Sequence, residues 1–321
     1  MHIAPDISAL RQDDQPQRAA QAAMAQAVRE WRSRPDVAQL HEELAAFSSC
    51  RTFAECPLLA TLFEDANPAA QIFVEEYVSA MAAAIGRHPL GQIAMRHFAD
   101  GKVSNIQLAR TARTTLMLVA LDGVALARAP TPTSANFSPA ESWDHILAGK
   151  AFATLIEARP PAAPQVEFHR RDVLLLPGKV IAREGSRQTM QIGRIEGRLV
   201  TLRLVRRHEK PGPAREYELA SGRLIHQAAG NAAESRLEFM VSLLGRMGRA
   251  DAAPELADIA LEDGGEGLRW EALRQCLSLD TATGFAVLSR LAERSGDSLA
   301  IPAQTLRRGL VDLHPQLEEI G

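Results

Sequence analysis

This chain has little of what covalent or metal chemistry usually needs. Its 321 residues include only three cysteines, Cys50, Cys56 and Cys276, a sparse, odd set that excludes a disulfide framework and points to a reducing cytoplasm. Five residues separate Cys50 from Cys56, the wrong spacing for a zinc knuckle or a redox pair. Cys276 falls on an apolar helical face and is expected in a core. The nine histidines include no close pair that would put two imidazoles on one metal. There is no Gly-x-Ser-x-Gly elbow. Gly264-Gly265-Glu266-Gly267 lacks the Lys-Ser/Thr of a phosphate loop and is expected to stop a helix. The sequence therefore assigns no catalytic residue, no metal ligand and no cofactor.

Long apolar runs are missing too. No stretch approaches the roughly 18 residues of a membrane span. The first residues carry Asp6, Asp13 and Asp14 without an apolar run, so neither a signal peptide nor an anchor is expected there. The net charge of -3 gives nucleic acid or an anionic membrane nothing global to bind. Arg203, Arg206, Arg207, His208, Lys210 and Arg215 make a local basic run. No aromatic residues interleave for base stacking, so a solvated face is the expectation. Lysine is scarce at four of 36 basic residues, a bias towards arginine that composition alone accounts for.

What is present divides by texture. Residues 1–15 read as a disordered tail. Residues 16–88 read as helical. Ala20, Met24, Ala27, Val28 and Trp31 fall at helical spacing, Asp36 is placed to cap a second helix, Pro57 starts a short third, and Asn67-Pro68 opens a fourth that Gly86 stops. Residues 89–230 read as short strands between turn signals, among them Asp100-Gly101, Pro177-Gly178 and Glu196-Gly197, which is the pattern of a sandwich or barrel. Helix stays open for 105–121 and 145–157, because short apolar runs do not distinguish the two. Residues 231–321 return to helical spacing. The predicted fold is α+β in three parts: a helical region, a central antiparallel β-sandwich or jelly roll, and a C-terminal stack of paired helices.

The strongest signal is a repeat. Met240, Leu273 and Leu306 stand 33 residues apart each time, as do Leu244, Leu277 and Leu310; Leu256 with Leu288, and Ile259 with Leu291, stand 32 apart. Such self-similarity marks a helical solenoid, whose units cannot bury their apolar faces alone. Leu244-Gly245, then Pro254-Glu255-Leu256, then Leu268-Arg269-Trp270-Glu271-Ala272-Leu273 resemble the HEAT repeat family. Pro302 departs from the pattern, standing where Arg269 stands one repeat earlier. The resemblance implies a protein-binding scaffold, here a non-catalytic adaptor with another protein as partner. Arg236, Arg269, Trp270, Arg307 and Arg308 are the expected contact residues. The metal hydroxylase built from such repeats uses repeated His-Glu pairs. Here these occur only as His41-Glu42 and His208-Glu209, outside the repeat.

A second resemblance falls in the β region. Glu141-Ser142-Trp143-Asp144-His145-Ile146-Leu147-Ala148-Gly149 and Arg171-Asp172-Val173-Leu174-Leu175-Leu176-Pro177-Gly178 are similar to parts of the two cupin motifs, without the family's metal-binding histidines. This implies a small-molecule binder or enzyme using the barrel interior. His97, Glu141, His145, His169, Arg187 and Gln188 are the residues picked for that pocket. A third expectation is a self-assembling structural protein, a homo-oligomer built through the β region.

Overall fold

The computed structural model describes residues 13–49, 51–160 and 163–319. Most of the expected N-terminal tail, and Cys50, lie outside these residues. The chain divides into two compact units. One runs to Ala135 and includes Ala140–Ala162 and Val166–Glu209; the other gathers Asn136–Pro139, Ala163–Gln165 and everything from Lys210.

The first unit begins with helices α1 (Gln15–Arg32), α2 (Pro35–Ser48), α3 (Pro57–Leu62) and α4 (Ala69–Arg87). Met24, Val28 and Trp31 bury one face of α1, and Tyr77 meets the Trp31 ring edge-on at 5.0 Å. Pro35 opens α2, so Asp36 sits inside the first turn, bonded to the Arg34 guanidinium, rather than at the cap position expected for it. Pro68 takes the cap position of α4, and Asn67, just before it, accepts the Ala69 N–H with its side chain at 3.0 Å.

Seven antiparallel strands follow, in the order β1-β2-β3-β8-β5-β6, with β7 also on β5. They are β1 (His97–Ala99), β2 (Val103–Arg110), β3 (Thr114–Asp122), β5 (Ala140–Arg159), β6 (Glu167–Leu175), β7 (Val180–Glu184) and β8 (Gln188–Arg207). A short helix, α5 (Gly123–Ala127), follows β3 and is capped by Asp122. The two stretches left open between helix and strand are therefore strand.

β5 and β8 each span 20 residues. Glu196-Gly197, expected as a turn, lies inside β8. The register of the β5–β8 pair shifts between Ile146 and Ala148 and again between Ala148 and Lys150, so the ladder absorbs the irregularity without breaking. Gly149 sits there at φ +89°, and a Cβ on it would come within 1.9 Å of the Arg198 carbonyl oxygen. Only glycine fits both the backbone angle and the space. The first half of β5 pairs with β7, and the second half with β6.

Helices α1–α4 cover one face of this sheet. Val28, Trp31, Leu40, Leu44, Phe47 and Tyr77 share a core with Leu108, Leu116, Leu202 and Leu204. The opposite face builds a second core from Ile146, Leu155, Val173, Leu175, Ile195 and Leu199.

The second unit holds a three-stranded sheet, β4 (Ser134–Phe137), β9 (Ala214–Glu218) and β10 (Leu224–Ala228), in the order β10-β9-β4. Five helices follow: α6 (Ala232–Arg246), α7 (Ala253–Leu261), α8 (Glu266–Leu279), α9 (Thr281–Glu293) and α10 (Ala300–Leu313). α7 packs on α8, α8 on α6 and α9, and α9 on α7 and α10. Leu256, Leu273, Cys276, Phe285, Leu288 and Leu291 fill their common core. The repeated positions are not equivalent in burial. Leu273 is fully buried, whereas Met240, one repeat earlier, is 55% exposed.

Among the described residues no helix is long and apolar enough to cross a membrane.

Candidate functional site

Side chains alternate across a strand. Along β5, Glu141, Trp143 and His145 therefore face the helices, while Ser142, Asp144 and Ile146 face the other way. Trp143 packs between Phe47 and Phe53. The His145 Nδ1 lies 2.7 Å from the Leu62 carbonyl oxygen, in a buried contact. Glu141 accepts the Arg206 Nε–H at 2.6 Å, and that guanidinium stacks 4.0 Å over the Phe47 ring. These groups tie the sheet to the helices.

The other face carries a different set. Register places Asp144 opposite Arg203 on β8 and Ile181 on β7. Arg183, two residues beyond Ile181, shares that face. Both guanidinium groups bond the Asp144 carboxylate, Arg183 through Nη2 and Arg203 through Nε. The Asp144 side chain is 1% exposed, Arg183 12% and Arg203 29%. Two cations on one carboxylate leave a net positive charge in a largely desolvated place. Burying it is costly unless every polar atom is satisfied.

Two atoms are not. Arg183 Nε and Thr201 Oγ1 are buried without a hydrogen-bond partner. Thr201 precedes Arg203 by two residues, on the same face, opposite Ile146. A buried donor and a buried hydroxyl left open beside an arginine pair are what a polar ligand would satisfy. Register brings Gln107 alongside Met117, and Met117 alongside Arg203. Ile146 and Ile181 belong to the apolar core on this face.

The six residues picked from sequence for a pocket fall in three places. Glu141 and His145 face the helices. His169 and Gln188 flank Glu157 on neighbouring strands, and Arg187 approaches the Glu157 carboxylate at 3.8 Å. Arg159, the nearest hydrogen-bond donor, holds that carboxylate below its usual pKa. His97 is exposed on β1, its Nδ1 3.1 Å from the Met95 carbonyl oxygen. Asp144 and Arg183 are not among the six, although the alternation of Ser142-Asp144-Ile146 against Trp143-His145 is visible in the sequence. Sequence alone puts Arg203 on a solvated basic face. The basic run in fact divides by parity, Arg203 going to Asp144 and Arg206 to Glu141. Among the described residues no three His, Cys, Asp or Glu side chains gather to hold a metal ion.

The five residues expected to contact a protein also separate. Arg236 is exposed and donates to the Ala232 carbonyl at 3.0 Å. Arg269 corrects its expectation: it is buried, bonding the Asp297 carboxylate at 2.5 Å and the Ala260 carbonyl at 3.1 Å. Its long stem fits between helices and its charge is matched inside. Trp270 packs partly into the helical core. Arg307 and Arg308 line a cavity of about 480 Å³ with Ser289, Gln304 and Asp312, and Arg307 donates to the Ser289 hydroxyl at 3.1 Å.

No protein-family model matches the chain, and no curated protein matches it. Several solved structures are similar over about a third of it. A cupin superfamily protein from Desulfitobacterium hafniense is 16% identical over 35% of this chain and 83% of its own, with a TM-score of 0.24. KdgF from Halomonas sp. is 15% identical over 36% of this chain and 90% of its own, with a TM-score of 0.23. An oxalate decarboxylase of Bacillus subtilis is 15% identical over 39% of this chain and 30% of its own, with a TM-score of 0.26.

Proposed function

We propose that the antiparallel sheet is a cupin-like jelly roll that binds a small anionic molecule on the face opposite α1–α4, at Asp144, Arg183, Arg203 and Thr201. The observation that carries this reading is the pair of buried, unpartnered atoms, Arg183 Nε and Thr201 Oγ1, beside an arginine pair that holds one carboxylate. A ligand carboxylate takes the open arginine donor and the hydroxyl together, and the remaining positive charge favours an anion. No group there is assigned to break or form a bond, so the role is binding. The test is thermal shift and calorimetry with a panel of mono- and dicarboxylates. At least one should raise the melting temperature of the wild type and fail to do so for Arg183→Gln. Equal shifts in the two proteins, or none with any member, sink the reading.

A second reading, supported by the pairing of α6–α10 and the apolar side chains left outside on α6, is that these helices are HEAT-like and contact another protein. A partner captured from lysate by the wild type should be released when Met240, Arg246 and Arg308 are changed together to glutamate. Undiminished capture by that variant argues against it.

A further inference from the structure

Helix α6 carries its apolar residues on the outside. Phe239, Met240, Leu243 and Met247 are exposed, Phe239 by 69%. Phe239 and Met240 are adjacent, Leu243 follows them by four and three residues and Met247 by eight and seven, so they form a single stripe along the helix. The acids of α6 are turned elsewhere. Glu234 Oε1 and Glu238 Oε1 lie 1.5 Å and 3.0 Å from where a Cβ on Gly265 and on Gly267 would stand, so both α6 acids are on the side towards the start of α8. The exposed charges of α6 are Arg236 and Arg246. The open face is thus apolar with basic ends.

The 33-residue interval shows what this face lacks. Arg236, Phe239, Met240 and Leu243 of α6 correspond to Arg269, Ala272, Leu273 and Cys276 of α8. All four α8 residues are buried. The preceding helix, α7, covers them: Arg269 Nε donates to the Ala260 carbonyl at 3.1 Å, and Cys276 Sγ to the Ala253 carbonyl at 3.5 Å. α6 has no such helix before it, because the chain arrives from strand β10. The chain's own example of a covering helix, α7, carries Glu255 and Asp258 and no basic residue, and Asp251 and Glu262 flank it. An acidic helix of that kind would bury the stripe and bring its carboxylates to Arg236 and Arg246.

We infer that α6 is a docking site for an acidic amphipathic helix of a partner protein, seated on α6 as α7 is seated on α8. The inference rests on the protein-binding reading of the C-terminal helices.

The test uses the full chain and a fluorescent, helix-stabilised peptide with the sequence of residues 250–263 as probe, followed by anisotropy. Saturable binding is expected. It should weaken at least about tenfold for a Met240→Glu, Leu243→Glu protein, and by a similar factor for a probe with lysine in place of its acids; tenfold corresponds to about 1.4 kcal/mol. Both substitutions fall on exposed positions, so the far-ultraviolet circular dichroism should not change. Equal binding by wild type and variant overturns the inference, as does photo-crosslinking of the probe to α9 or α10 in place of α6. If the probe does not bind while the lysate partner is still captured, the acidic-helix assignment fails and the protein-binding reading stands. Two further results overturn it by naming another occupant. One is self-association in sedimentation that the same substitutions abolish, which identifies a second copy. The other is tighter probe binding after deletion of residues 1–12, which identifies the chain's own start, where Ala4-Pro5-Asp6-Ile7 repeats the order of Ala253-Pro254-Glu255-Leu256.

Discussion

Asp144 on β5 stands directly opposite Arg203 on β8 and bonds it through the guanidinium Nε, while Arg183 closes on the same carboxylate from β7. The carboxylate is 1% exposed. Its stabilising role depends on both partners, because an uncompensated charge there would be desolvated without repayment.

Removing the carboxylate should therefore be costly. Asp144→Ala leaves two guanidinium groups facing each other in a low-dielectric site and should destabilise by about 3–5 kcal/mol. Urea unfolding followed by circular dichroism measures this. A change below about 1 kcal/mol would mean that water already solvates the arginines.

The repeat predicts a contrast between two methionine or leucine sites one interval apart. Leu273→Ala empties a fully buried position and should cost about 2–5 kcal/mol. Met240→Ala, on an exposed stripe, should stay within about 0.5 kcal/mol. Comparable losses at both sites would show that α6 is covered in the isolated protein.

Gly149→Ala tests the bend in β5. The new Cβ would collide with the Arg198 carbonyl, and the residue would sit at φ +89°, where L side chains are strained. A loss of at least about 1–3 kcal/mol is expected by the same unfolding measurement.

The Arg269–Asp297 pair predicts an acid-sensitive contribution. The Arg269 hydrogen bond is the main cause that holds the Asp297 carboxyl below its ordinary 3.8. A folded value below the unfolded one stabilises fully above pH 3.8, and that stabilisation is lost as pH falls through the lower, folded value. Asp297→Asn should thus be less stable than wild type at neutral pH, and the gap should close as pH falls below about 3.8. A gap that does not vary with pH would contradict this assignment. At the other end of the scale, burial pushes the Cys276 thiol up to about 11. A raised value favours the neutral thiol, so this contribution is complete below the ordinary 9.0 and fades as pH rises through about 11. A thiol reagent at pH 8 should leave Cys276 unmodified until the protein unfolds.

Much of the architecture was legible because local signals agree with their surroundings. Asn67-Pro68 and Pro57 mark helix starts by their own backbone chemistry, Asp100-Gly101 marks the β1–β2 hairpin, and the 33-residue interval marks the C-terminal helices. The site was not legible in this way. His145 drew attention because histidine often carries chemistry, yet its neighbour Asp144 faces the partners that matter. Arg183 and Arg203 lie 20 residues apart, and nothing local joins them. Arg269 looked like a surface arginine because its acid, Asp297, lies 28 residues away.

By itself the sequence determined several helix starts and the first hairpin, which residues alternate and which repeat, because caps, turns and periodicity act over a few residues. Tertiary structure alone decided which parity of β5 meets the helices, whether Gly197 ends a strand or lies within one, and which copy of a repeated leucine goes without a cover. Each of these depends on what packs against a residue from far along the chain, and local chemistry has no hold on such a contact.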